Sequence, residues 1–256
     1  MPSQSEMPMA SRKRTWIFLI LGAALVLMGS VYGSDWMNYF NQTSSLYPAI
    51  AKPCITLLGF ILVLSAGKDK LEQKDWVLLL LAFLCMLPTD ILMSLVVVDP
   101  DMGVGGWVFM VGGGLSVLAH LFLIIRVGRG LGYIKHFKLS EIWLPVLIYA
   151  SALIIMLVLW KDLVRVGHAV IGPIYTAFFC TTMWFAWETV RRKLYPRVNA
   201  LMVAAAATCW YFTEILGEIY NLQMGPVSNF VFNLVWVFYG ANVLLWALSG
   251  YRWKQA

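Results

Sequence analysis

Two acidic residues stand where an apolar sequence has least room for them. Asp90 lies inside the apolar block 76–98 and Glu214 inside the block 199–220. Burying a carboxyl in such surroundings costs at least about 2.5–3.5 kcal/mol on insertion scales, so each one needs a reason. A pair of buried carboxyls can do general acid–base work, one giving a proton while the other stabilises positive charge. The plainer alternative is a protonated acid that ties helices together by hydrogen bonds. Glu218 follows Glu214 by one turn on the same face, nearer the interface. Glu188, close to Arg191, reads as a solvated cap or ion pair. His120 is the one histidine well inside an apolar block, able to pack or to orient a substrate. His136 and His168 sit at loop edges and receive no role. Lys52, just before Pro53, is placed to hold an anionic headgroup or to snorkel to the interface.

Other chemistries lack their residues. No HExxH motif occurs, and three widely separated histidines do not form a zinc set. Neither a GxSxG elbow nor a Cys/His arrangement for covalent hydrolysis is present. Gly112-Gly113-Gly114 lacks the Lys-Ser/Thr of a phosphate loop and instead permits close helix contact or leaves room for a ligand. No metal and no cofactor are expected.

The elements that position these residues are transmembrane helices. Only 12% of the chain is charged and 61% is hydrophobic, against about 25% charged for a soluble domain. The apolar residues fall in blocks of about 20, the length that crosses a hydrocarbon core of about 30 Å. Eight are read: 15–33, 47–66, 76–98, 105–126, 142–161, 168–190, 199–220 and 227–249. The runs are continuous rather than alternating, which excludes barrel strands. All of the 19 Lys and Arg except Lys52, Lys161 and Arg165 fall on one side of that arrangement. The positive-inside rule then makes both termini cytoplasmic, with Arg12, Lys13, Arg14, Arg126, Arg129, Lys135, Lys138 and Lys254 among the inner residues. The net charge of +6 is thereby a topology signal rather than a nucleic-acid one. The first block is long for a signal-peptide core and offers no convincing small-x-small cleavage site before Asp35, so it is read as a helix. Cys54, Cys85, Cys180 and Cys209 lie inside apolar blocks as small buried hydrophobes. Asn41-Gln42-Thr43 forms a glycosylation sequon on the outer side.

The chain also reads as a duplication within one transmembrane domain over 1–256, with halves 15–126 and 142–250. Thr89-Asp90-Ile91-Leu92 reappears as Thr213-Glu214-Ile215-Leu216, Pro53 as Pro173, and Ala119-His120 as Ala241-Asn242, each at a spacing of about 120 residues. Four helices per half give a parallel repeat, the fold class being all-α, polytopic, eight spans as 4+4. Asp90 and Glu214 then occupy equivalent depths, roughly 5–7 Å from the membrane centre toward the outer side. They are expected to face one central cavity, with His120 lining it slightly deeper.

These residues resemble the YhhN-type lysoplasmalogenase family of eight-helix membrane hydrolases. Lys52-Pro53 matches its Lys-Pro opening of helix two, and Asp90-Ile91-Leu92 its Asp and aliphatic pair late in helix three. Gly112 and His120 match a Gly and His spaced by eight in helix four, and Tyr175 a Tyr of helix six, followed by Met183 and Ala186. Where the family carries Ser-Asp in helix seven, this chain has Thr213-Glu214. Asn242 stands for its Gln in helix eight, Thr89 for its Gly before the helix-three acid, and Leu123 for the Tyr that follows the His. The match spans residues 46–250. The resemblance implies hydrolysis of the vinyl ether of a lysoplasmalogen to a fatty aldehyde and a glycerophospho-alcohol. Asp90 and Glu214 would be the catalytic pair, in either order. His120, Tyr175, Tyr239 and Asn242 would orient water or substrate, and Lys52 would hold phosphate. The partner is a lysophospholipid in the bilayer, with no nucleic acid. A parallel bundle with two intramembrane acids also suits a proton-coupled transporter or a lipid-binding receptor.

Overall fold

Apolar runs bounded by glycine, proline and charged clusters become helices along almost all of the described chain. The computed structural model describes residues 11–41, 46–98, 107–129, 141–165, 167–222 and 226–253. Gln42 and Thr43 of the sequon, Lys135, His136, Lys138 and Lys254 lie outside these segments. The helices are α1 (Ser11–Asn41), α2 (Tyr47–Ser65), α3 (Gln73–Val98), α4 (Trp107–Gly128), α5 (Trp143–Val158), α6 (Trp160–Arg165), α7 (Ile171–Arg191), α8 (Arg197–Leu222) and α9 (Pro226–Leu248). No strand forms among the described residues, where one isolated bridge pairs Lys70 with Tyr251. Five helices (α1, α2, α3, α4 and α8) are long and apolar enough to cross a membrane. Their outward faces carry Phe18, Leu25, Val26, Ile61, Leu84 and Leu121 exposed, as lipid-facing surface requires. The chain is an all-helical integral membrane protein.

One expected span is not a single helix. The block 142–161 divides at Leu159, leaving α5 with 16 residues, short of the roughly 20 that a crossing needs. The polar Lys161, Asp162 and Arg165 cannot extend an apolar span, and they wind into the short α6 with an Asp162–Arg165 pair at 2.9 Å. The chain then reverses through Gly167, whose φ of +79° is one that glycine adopts without steric cost.

Six of the helices close a ring in the order α2, α3, α4, α7, α8, α9 and back to α2, with α1 outside against α2 and α9, and α5 outside against α7. Gly59 lets the ring close: a Cβ there would lie 2.6 Å from Val243 Cγ1 and 2.8 Å from Phe83 Cε1. One half of the ring is filled by Leu62, Phe83, Leu123, Val203, Ala207, Val243 and Trp246. Ala206 and Ala207 of α8 belong to that cluster, small residues that let helix backbones approach closely.

That filled half ends in charge. Arg126, counted among the loop cations from sequence, is in the last turn of α4 and wholly buried. Its Nη2 lies 2.8 Å from Asp75 Oδ2 and its Nη1 donates to Ser249 Oγ at 2.9 Å. Tyr195 donates to Asp75 Oδ1 at 2.7 Å, and burial pushes its phenol above the ordinary value, which keeps it a donor. Arg129 reaches Asp75 Oδ1 at 3.1 Å. Asn199 Nδ2 donates to the carbonyls of Ser249 and Tyr251. Glu188 is likewise buried rather than solvated, held by Arg191 and Arg192 at 2.6 and 2.7 Å. Cys180 is buried and the other three cysteines half-buried, all as free thiols.

Candidate functional site

The unfilled half of the ring is a cavity of about 320 Å³, within the range of small-molecule sites. Its walls come from all six ring helices. Asp90 on α3 and Glu214 on α8 both line it, as do Lys52, Tyr175 and Tyr239. Gly113 and Gly217 line it with nothing within 4 Å of where a Cβ would stand, so their missing side chains are part of the open space. The glycine run of α4 thus serves partly as room, while Gly112 lies against Met93.

Each acid is held by hydroxyl or ring donors. Pro88 removes one backbone hydrogen bond of α3, and the next turn presents Asp90 to the ring interior. Tyr239 OH lies 2.7 and 2.6 Å from the two Asp90 oxygens and donates between them. Thr56 Oγ1 donates to Asp90 Oδ2. Glu214 Oε1 accepts from Trp210 Nε1 at 2.5 Å, one turn earlier on α8. Tyr175 reaches the same carboxyl and pairs with Ser116 Oγ at 2.8 Å. Both carboxyls therefore face one apolar space with their acceptor positions defined.

Lys52 is on the cavity wall but already engaged. Its ammonium lies 3.3 Å from Asp35 Oδ2 of α1, both side chains nearly buried, and 4.2 Å from the centroid of the Trp236 ring. An incoming anion would have to compete with Asp35 for it.

Two expected site residues do not reach the cavity. His120 sits one turn below Ser116, wholly buried beneath the Trp210 and Tyr175 rings at 4.0 and 5.7 Å between centroids. Those rings form the floor, so His120 supports the site and does not line it. Thr182 gives its own proton to the Phe178 carbonyl, so His120 donates from Nδ1 to Thr182 Oγ1 at 3.0 Å. Its Nε2 is left an acceptor with no partner among the described residues. Asn242 lies one turn below Tyr239, buried in the core, with neither amide atom bonded among the described residues.

Other residues that line the cavity or hold its acids escaped the sequence reading. Thr56 is one turn past Lys52, Trp210 one turn before Glu214, and Ser116 one turn before His120. The i, i+4 rule would have found all three had it been applied around each candidate. His168, left without a role, lines the cavity beside Ile171, and Glu218 lines it beside Glu214. Asp35 was given no role, because the first block was read as ending at residue 33 whereas α1 runs on to Asn41. The chain matches no protein-family model, and neither curated proteins nor solved structures give a match.

Proposed function

We propose that this protein is a membrane hydrolase that cleaves the vinyl ether of lysoplasmalogens, the activity implied by the resemblance to YhhN-type lysoplasmalogenases. The observation that carries this reading is the placement of Asp90 and Glu214 on opposite helices around one apolar cavity. Hydroxyls directed at both oxygens of Asp90 suit an ionised, acceptor-only carboxylate. Beside Glu214, Tyr175 OH can give its own proton to Ser116 Oγ and accept one from the carboxyl, which suits a protonated acid. In the reaction, Glu214 protonates the distal alkenyl carbon and the double-bond electrons form the new C–H bond. The positive charge falls on the oxocarbenium unit beside Asp90. Water adds to that carbon while Asp90 accepts its proton; the hemiacetal then collapses as Asp90 gives that proton to the leaving alcohol oxygen and Glu214 takes the hydroxyl proton, so that both acids return to their starting states. Atoms balance as ether plus water, and no cofactor takes part.

The finer topology belongs to the same proposal: eight spans in two parallel halves, with α1, α2, α3 and α4 equivalent to α5, α7, α8 and α9, the 16-residue α5 being a short span that the bilayer meets by thinning locally. Two features support it. The ring contacts exchange under this mapping, α2 with α9 corresponding to α7 with α4. The acids are also served by equivalent helices, with the partners swapped. Thr56 of α2 and Tyr239 of α9 hold Asp90, while Tyr175 of α7 and Ser116 of α4 stand by Glu214. The charge bias places the Asp75–Arg126 end and both termini in the cytoplasm. A cysteine introduced at residue 40 should label from outside; labelling from the cytoplasm alone would reverse that orientation.

The deciding experiment supplies purified protein with a lysoplasmalogen and with its saturated ether analogue. Aldehyde should appear from the first only, because the second has no alkenyl carbon to protonate. No aldehyde from either would end the hydrolase reading in favour of a transporter or receptor. In the same assay Lys52→Ala should raise KM by about tenfold and leave kcat nearly unchanged, since a phosphate contact is made equally in ground and transition states. Asp35→Asn should lower KM by releasing Lys52. An unchanged KM in Lys52→Ala would remove the headgroup role from that residue.

A further inference from the structure

A second, smaller cavity lies behind Glu214, between α5, α6, α7 and α8. Gly172, Tyr175, Glu214 and Glu218 line both this cavity and the central one, so the two meet at the proposed acid. Beyond that junction the wall is apolar, formed by Ala152, Met156, Leu163, Phe179 and Ile215. Its volume is about 30 Å³, against about 320 Å³ for the central cavity. A zwitterionic or phosphate headgroup cannot enter so narrow and apolar a space. Its apolar walls suit a hydrocarbon chain, and its size leaves room for one or two methylenes at a time.

The opening exists because the two halves are not equally covered. In the first half α1 is seated on both α2 and α9, with Met28 filling the space over Gly240. In the second, α5 is seated on α7 and the short α6. Beside the break at Leu159 and the turn into α6, where Leu159 and Leu163 pack with Ile219 of α8, the small cavity remains open. At its mouth stands Gly172, on the first turn of α7. A Cβ there would meet Leu163 Cδ2 at 3.6 Å, an ordinary contact, so alanine fits and anything longer enters the slot.

We infer that the hydrocarbon chain of the substrate leaves the central cavity past Gly172 and runs through this slot beneath α5 toward the bilayer, while the headgroup lies toward Lys52. The inference rests on the ether-hydrolase reading for its ligand class. The geometry imposes two consequences. The slot admits one unbranched chain, and it holds the first carbons of that chain beside Glu214, where the alkenyl group must be protonated. Every methylene accommodated contributes about fourfold in affinity, so obstruction acts on binding first.

The test uses a lysophospholipid carrying a diazirine in mid-chain, photolysed with the full-length protein in nanodiscs and mapped by peptide mass spectrometry. Label is expected between residues 152 and 163. Gly172→Leu should reduce it at least about tenfold, the loss of roughly two buried methylenes, and Met156→Trp, from the far wall, should do the same. Gly172→Ala should retain it and shows that the position tolerates change. Equal labelling in Gly172→Leu and Met156→Trp, or label confined to α2 and α9, would overturn the slot. Labelling needs no turnover, so the two readings separate. Label on α5 without aldehyde release upholds the slot while ether cleavage fails. Aldehyde release with label elsewhere overturns the slot alone.

Discussion

Glu214→Gln and Asp90→Asn should each lower aldehyde release by at least about 10²-fold, the lower end of what general acid–base catalysis contributes. Both swaps keep size and most contacts. A glutamine at 214 still presents a carbonyl oxygen to Trp210 Nε1, and an asparagine at 90 still accepts from Tyr239 through one oxygen. At the other Asp90 position an amide donor would meet Thr56, whose hydroxyl can rotate and accept instead. Folding should therefore survive, checked by thermal unfolding in detergent. The two losses should differ in kind. Without the Glu214 proton no oxocarbenium forms, so kcat falls with KM little changed. Without the Asp90 charge the cation loses its stabilisation in the transition state, and in Asp90→Ala, where the side chain is removed, added formate should restore part of the rate. Both variants retaining activity within about threefold would rule out the two-acid mechanism.

The sequence was most informative where the cost of burial is highest. A carboxyl in an apolar block must have partners, and both Asp90 and Glu214 turned out to have them in one cavity. Depth along the helix was less legible. His120 and Asn242 lie in the right helices but one turn too deep, because ring stacking of Trp210 and Tyr175 closes the floor above His120. No periodicity in one helix reports where rings from two others will meet. Helix continuity failed in a similar way at Leu159, where the apolar run was carried on to Lys161 although Asp162 and Arg165 follow directly. The charge count treated Arg126 as a loop cation because basic residues at a span's end usually are. Its burial depends on Asp75 of another helix, a pairing that no single span displays.

Arg126→Met should destabilise the protein more than any single change in the cavity wall, by about 3–5 kcal/mol. The guanidinium and Asp75 carboxylate are both fully buried, so removing one leaves the other charged and out of water. Asp75 would keep Tyr195 and Arg129 as donors, which offsets part of the loss. Asp75→Leu should be worse tolerated still, since it strands Arg126 against Trp246 with only Ser249 to accept from it. The double variant Asp75→Leu/Arg126→Met removes both charges and should recover most of the stability, because a buried ion pair replaced by apolar residues of similar volume is often close to neutral. Detergent unfolding curves for the two single variants and the double give the coupling directly. Additive losses in the double variant would mean that the pair does not hold α3, α4 and α9 together. The cavity lies at the other end of the ring, so the recovered double variant should also keep its aldehyde release.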